Sequence, residues 1–464
     1  MGFVFYDVET TGLDKHFDQI LQFAAIRTDA DLNEIDRVER RCRIIPHIVP
    51  SPGALRVTRV SVEQLVDPAL PSHYEMICEL AAMLAGWGPA IYLGWNTIDF
   101  DEHMLRQALF QCLHPPYLTN TEGNSRCDAI KIAQSLQLIQ PGALVVPLND
   151  KGKPSFKLDQ LAPANGFDHA NAHDALADVE ATIHICRLIR DRAPDHWSQA
   201  LRFVNRAAPL AFMDDTLAFI ATECYFGAPY QYALTMIAPE EGSSSVLTYD
   251  LAVDPDELRA IDDVLLPVRL GRKVKPVRRI RANAAPLLHD IYDTPGFYGM
   301  TPDELTERAE EVRGDAELCA RLVAAAEREP FEPSPYVEAQ IYDDFSGDSD
   351  RARMHAFHAA PSWNHRAALA SGFDDVRLVE LAGRLIFHHA PDALEANERA
   401  AIERGLAARM LGHGFEQTPW LTLAAADREI ETMLAKATEE ERVLLTALQA
   451  HLAQETGRCT ALIG

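Results

Sequence analysis

Apolar residues fall in short runs over the first 190 positions and take up a helical period towards the C-terminus. Residues 4–8 form a short apolar run that predicts a strand, and residues 22–28 and 41–46 predict two more. Residues 74–85 predict a helix, 90–95 a further strand, and 101–112 a second helix. A long amphipathic helix is expected over 174–190, with Leu176, Val179, Ile183 and Cys186 on one side. Strands alternating with helices imply an α/β sheet covered by helices. The region near Pro194 marks a boundary. From about 195 to 290 the pattern is mixed, with strand-like stretches at 245–249, 265–270 and 277–280 among Pro- and Gly-containing loops. Beyond about 300 a helical period rich in Ala, Leu, Glu and Arg dominates, after a connector at 330–335 broken by Pro330, Pro333 and Pro335. No internal repeat or low-complexity tract is visible.

A chain of 464 residues exceeds one ordinary core and implies two to three domains. Its 47% hydrophobic and 24% charged content is that of a globular protein. It has no apolar run of about 18 residues, so no membrane span is expected, and the N-terminus has no basic leader region. The eight cysteines are dispersed without a Cys-x-x-Cys pair, which argues against a zinc site or a disulfide framework and fits a reducing cytoplasm.

The net charge of −26 is unexpected for a partner of nucleic acid, but binding depends on where positive groups cluster. Arg269, Arg272, Lys273, Lys275, Arg278, Arg279 and Arg281 fall within 13 residues that contain no acid. At the average basic content such a window holds roughly one. The segment reads either as a charged edge strand that resists aggregation or as a phosphate-binding lip.

Asp7 and Glu9 end the first apolar run. Strand residues alternate, so both carboxylates share one face, and together they are stable as anions only with a cation between them. Mg²⁺ prefers such hard oxygen ligands. A solvated strand end is the bland alternative for an isolated Asp-x-Glu. Here Thr10, Thr11 and Gly12 follow, a threonine able to reach sugar or phosphate and a glycine that permits a close turn. Asp101 begins the second predicted helix, where a carboxylate also serves as an ordinary first-turn residue, and Asp99 competes for its role. Asp178 is expected one to two turns into the 174–190 helix, with His173 at its start, free to approach an attacking water as general base. Four carboxylates and one imidazole in this order suit phosphodiester hydrolysis assisted by two Mg²⁺ ions.

In this order the residues resemble the DEDDh exonuclease superfamily: Asp7, Glu9, Asp101 and Asp178 match its acids and His173 its histidine. Further strings resemble the bacterial exodeoxyribonuclease I family across nearly the whole chain. They include residues 22–29, Asn124-Ser125-Arg126, Pro154-Ser155-Phe156-Lys157-Leu158, Asn171-Ala172-His173-Asp174-Ala175, Ala339-Gln340-Ile341-Tyr342 and Asp348-Ser349-Asp350-Arg351. The resemblance implies a ribonuclease H-like exonuclease domain at 1–193, an SH3-like β-rich domain carrying the basic segment at 194–335, and a C-terminal α-helical domain at 336–464. It implies processive 3′-to-5′ removal of 5′-mononucleotides from single-stranded DNA in repair and recombination. One Mg²⁺ would rest on Asp7, Glu9 and Asp178 and a second mainly on Asp7 and the scissile phosphate, with Mn²⁺ able to substitute. Glu9 and Lys157 would touch the terminal nucleotide, Thr10 would also bind substrate, and Arg106, Tyr117 and Phe156 would line the strand's path, with core packing the alternative for both aromatics. Lys157 stands where relatives often carry Arg, keeping the charge without bidentate geometry. A monomer is implied, with the acidic C-terminal tail of single-strand-binding protein as a further partner.

Two alternatives remain open from the residues. A DEDDh enzyme acting on RNA or short oligonucleotides would need little beyond the first 190 residues. A non-catalytic DNA-binding adaptor would be favoured by loss of one of the five site residues, all of which are present. Zinc-dependent hydrolysis lacks the His and Cys ligand pattern.

Overall fold

The computed structural model describes residues 1–168, 174–225, 227–294, 296–328 and 332–464. The first sheet contains β1 (Gly2–Thr10), β2 (Ile20–Thr28), β3 (Glu34–Arg41), β4 (Ala90–Leu93) and β5 (Ser125–Arg126), in the spatial order β3-β2-β1-β4-β5. β1 pairs antiparallel with β2 and parallel with β4, which makes it the central strand. A strand covered on both faces is apolar on both, and β1 follows that rule. Val4, Tyr6 and Val8 enter one core with the helices His73–Trp87 and Asp101–Gln111. Phe3 and Phe5 enter the other with Ala129–Ile139 and Ala175–Arg192. By strand alternation Asp7 and Glu9 continue the Phe3/Phe5 side, over which the 175–192 helix packs.

The second sheet is antiparallel: β6 (Phe219–Tyr225), β7 (Ala228–Pro239), β8 (Ser245–Asp250), β9 (Val277–Arg281) and β10 (Leu287–Asp290) lie in the order β10-β6-β7-β8-β9. Helices Pro302–Gly314 and Ala316–Ala325 cover one face, while Phe203, Phe212 and Met213 pack on the other. The C-terminal helices lean on the first sheet's helices at two places. Met354, Phe357, Leu378 and Leu381 share a core with Ile77, Leu80 and Leu105. Leu445, Leu448 and Leu452 share another with Leu21, Ile44, Leu55 and Leu65. Among the described residues no helix is long and apolar enough to cross a membrane.

Three expectations about elements are corrected. Of the strand expected at 41–46 only Arg41 is one, as the end of β3; beyond it Cys42, Arg43 and Ile44 donate backbone hydrogen bonds to Leu21, Pro71 and Leu65, three different segments. The strand lies earlier, at β3, an edge strand whose only buried residue is Val38 and whose polar pattern therefore hides it. Residues expected as a strand at 265–270 form a short helix, Leu266–Leu270, with Pro267 in its first turn, where its missing N–H is harmless. Asp178 lies in the first turn of its helix, closer to the start than expected.

Candidate active site

Asp7 and Glu9 reach the site from the end of β1, opposite Ala24 and Gln22 of β2. Asp178 reaches it from the first turn of the 175–192 helix, which Asp174 caps by accepting the Ala177 N–H at 3.4 Å. One carboxylate oxygen from each of Asp7, Glu9 and Asp178 lies within 4.8 Å of the other two. Asp101, 4% exposed, accepts the Val8 N–H at 3.1 Å, so it is tied to the strand between the first two acids.

Crowded, buried like charges favour the protonated form. Burial first, then Asp101, Asp178 and Glu9, push the Asp7 carboxyl far above the usual range. Glu9 is pushed up to about 8 by burial and by Asp178 and Asp101, with Arg41 opposing. Asp101 is pushed up to about 8, chiefly by burial. Arg41 gives limited relief because its guanidinium is 2.9 Å from Asp174, which also accepts Gln22 Nε2 at 3.2 Å. A set of crowded carboxylate oxygens that repel one another fits divalent metal ligation.

A pH dependence follows. In the unfolded chain these carboxyls titrate near pH 4, and folding raises them, so their contribution to stability is fully present below about pH 4. It is lost as pH rises through about 8 in the cation-free protein. A divalent cation binds the ionised oxygens and opposes that loss. The rise in thermal midpoint on replacing EDTA by Mg²⁺ is therefore expected to be small at pH 5 and to grow towards pH 9. A midpoint increment that stays constant across that range would contradict the assignment.

The loop before Asp101 is organised by a residue that no local pattern marked. Asp128, 1% exposed, accepts the Asn96 N–H at 3.0 Å and the Ile98 N–H at 3.1 Å. Gly94 is required there, since a Cβ would come 2.5 Å from the Tyr6 carbonyl and 2.0 Å from Thr97 Oγ1. Asp99, the competitor of Asp101, instead pairs with Lys131 at 3.1 Å.

Comparison with known proteins assigns the chain. Residues 4–186 match the exonuclease family and residues 335–455 match the exonuclease I C-terminal domain. Exodeoxyribonuclease I of Escherichia coli strain K12 is 30% identical over 373 residues, which cover 76% of this chain and 78% of the relative. The chain belongs to the exodeoxyribonuclease I family. The structure of E. coli exonuclease I in complex with a dA16 oligonucleotide superposes with a TM-score of 0.85 at 26% identity, covering 98% of this chain and 99% of the other. A zinc-ion-bound form of the E. coli enzyme with single-stranded DNA superposes at 0.84 and 25% identity, with the same coverage.

Within this exodeoxyribonuclease I fold, the residues expected to touch DNA divide. Lys157 is exposed at the start of helix Leu158–Ala164. Tyr117 lines a cavity of about 1390 Å³ with its ring 5.8 Å from that of Phe345. Phe156 is a correction: it is 4% exposed and packed within the core under the 175–192 helix, and its carbonyl accepts from Trp95 Nε1 at 3.0 Å. Arg106 is a second, because its guanidinium is buried, 2.7 Å from Glu102 and stacked 5.0 Å from the Tyr117 ring. Thr10 is a third, since its buried hydroxyl donates to the Gly12 carbonyl at 2.7 Å. His173 lies outside the described residues.

The basic segment also divides. Arg269 pairs with Glu257, Arg278 with Asp250 and Glu223, and Arg279 with Glu240. Arg281 pairs with Asp99 at 3.6 Å, and Arg272, Lys273 and Lys275 are exposed. β9, which carries Arg278, Arg279 and Arg281, is an edge strand, so the charged-edge reading fits three of the seven basic residues.

Proposed function

We propose that the protein is a metal-dependent exodeoxyribonuclease that removes 5′-mononucleotides processively from the 3′ end of single-stranded DNA. The observation that carries this reading is the convergence of Asp7, Glu9 and Asp178 within 4.8 Å in a chain of this family. The all-oxygen donor set fits Mg²⁺, with Mn²⁺ able to substitute. Asp7, Glu9 and Asp178 would hold one ion, and Asp7 with the scissile phosphate a second. Bound there, divalent cations make water nucleophilic at neutral pH and stabilise the leaving 3′ oxygen.

The chain's own groups do the remaining work. His173, next to Asp174 in sequence, accepts the proton of the attacking water. Asp101, fixed to β1 by the Val8 N–H, orients water at the site. Glu9 and Lys157 contact the terminal nucleotide, and the Tyr117 ring stacks a base, a contact worth about 1–3 kcal/mol that tolerates any sequence.

Three domains at 1–193, 194–335 and 336–464 are proposed, the five-stranded antiparallel sheet being the SH3-like one. The protein works as a monomer in the cytoplasm, where its eight unpaired cysteines stay reduced, and serves DNA repair. Exposed Arg272, Lys273 and Lys275 beside exposed Leu265 and Val268 suit the acidic tail of single-strand-binding protein.

Substrate choice tests the proposal. Matched single-stranded DNA, RNA and duplex DNA are incubated with the protein in Mg²⁺ and in EDTA. Rapid loss of single-stranded DNA alone, abolished by EDTA, is expected. Equal or faster loss of RNA would move the protein to a ribonuclease role, and binding without hydrolysis would make it an adaptor.

A further inference from the structure

Cys78, His114 and His358 are 36 and 244 residues apart in sequence, yet the fold brings them together. Cys78 lies on the 73–87 helix, His114 in the turn after the 101–111 helix, and His358 on Asp348–Ala359 of the C-terminal region. His114 Nε2 is 3.4 Å and His358 Nδ1 is 3.7 Å from Cys78 Sγ. A tetrahedral zinc ion with bonds of about 2.3 Å to sulfur and about 2.0–2.1 Å to nitrogen separates such ligand atoms by about 3.5 Å. All three residues line the large cavity that also exposes Tyr117, so the cluster is open to small solutes.

The hydrogen bonding settles which nitrogen of His358 is available. Its Nε2 is 2.9 Å from the Leu113 carbonyl, which can only accept, so Nε2 carries the proton. Nδ1 therefore presents a lone pair towards Cys78 Sγ, and it also accepts from the Tyr74 hydroxyl at 3.0 Å. A ring nitrogen fixed by a backbone carbonyl on its far side is the usual support of a metal-ligating histidine.

We infer that Cys78, His114 and His358 form a second metal site, selective for a transition cation of the zinc class. Sulfur and imidazole donors exclude Mg²⁺, which keeps this site chemically apart from the carboxylates of Asp7, Glu9 and Asp178. On binding, the Cys78 thiol gives up its proton to solvent and a sulfur–metal bond forms, with no change of oxidation state. The fourth position falls to the Tyr74 hydroxyl or to a water from the cavity. The two imidazoles now stack with centroids 3.8 Å apart and planes 8° from parallel, so a shared cation requires them to splay. Because its ligands come from both regions, the ion clips the exonuclease helices to the C-terminal helices. Widely spaced ligands explain why cysteine spacing in the sequence gives no sign of the site.

Cobalt(II) titration of the full chain carrying Asp7→Asn and Asp178→Asn tests this without reference to activity, the carboxylate site being disabled. The expected result is one equivalent of Co²⁺ giving a thiolate-to-cobalt charge-transfer band that Zn²⁺ displaces. Adding Cys78→Ser abolishes the band, and His114→Ala or His358→Ala weakens binding at least about tenfold, with circular dichroism confirming that each variant folds. Absence of the band before any of these additions overturns the inference. So does a band that survives Cys78→Ser, which would place the metal on another thiol such as Cys112.

Discussion

Asp178→Ala is expected to lower single-turnover hydrolysis of single-stranded DNA by at least about 10³-fold, the scale of losing a group that stabilises developing charge. Asp178 is the acid that the 175–192 helix delivers to the pair on β1, and without it the ligand set loses one of three members. DNA affinity in EDTA is expected to change little, because the remaining contacts bind ground state and transition state alike. Thermal stability in EDTA should move the other way. Removing one carboxylate relieves the repulsion that raises Asp7 and Glu9, so the cation-free variant should unfold at a higher temperature than the parent. Lower activity joined to higher cation-free stability is a signature that simple misfolding cannot produce. A loss of less than tenfold would remove Asp178 from the ligand set.

Glu102→Ala should destabilise the fold by about 3–5 kcal/mol, the cost of leaving buried charges without their partner. Glu102 is 1% exposed and follows Asp101 directly. It accepts from Tyr6 Oη at 2.8 Å, from Thr119 Oγ1 at 2.6 Å and from Arg126 Nη1 at 2.9 Å, and lies 2.7 Å from Arg106. Burial pushes its carboxyl up, but Arg106 and Arg126 outweigh this and hold it below the usual value. Truncation strands two guanidiniums beneath the 101–111 helix. Denaturant unfolding measures the loss, and Glu102→Gln, which keeps one acceptor oxygen for Thr119 and the arginines and offers its amide N–H to the Tyr6 hydroxyl, should cost less. An alanine variant within about 1 kcal/mol of the parent would show that the arginines find other partners.

The residues that meet at the candidate metal site were legible because each depends on a local rule. Alternation along β1 puts Asp7 and Glu9 together, and the start of a strongly periodic helix locates Asp178. The groups that hold them in place were not legible. Asp128 and Glu102 act across the fold, on residues 96–98 and on Tyr6, and in sequence each looks like an ordinary cap or helix-surface acid. Phe156 and Arg106 were misplaced for the same reason, since an aromatic or a cation suits a DNA groove and an internal network equally well. β3 was hidden by its polar edge pattern. The mixed pattern between 195 and 290 concealed β6 and β7, whose ladder partners lie across that whole stretch.

These carboxylates are expected to hydrolyse single-stranded DNA from its 3′ end. A time course with the same oligonucleotide labelled at either end, in Mg²⁺, addresses it most directly. The expected result is immediate release of labelled 5′-mononucleotide from the 3′-labelled strand. The 5′ label should stay on long DNA until late, and Asp178→Ala should suppress both signals. Early mononucleotide from the 5′ label, internal fragments as first products, or undiminished release by the variant would contradict it.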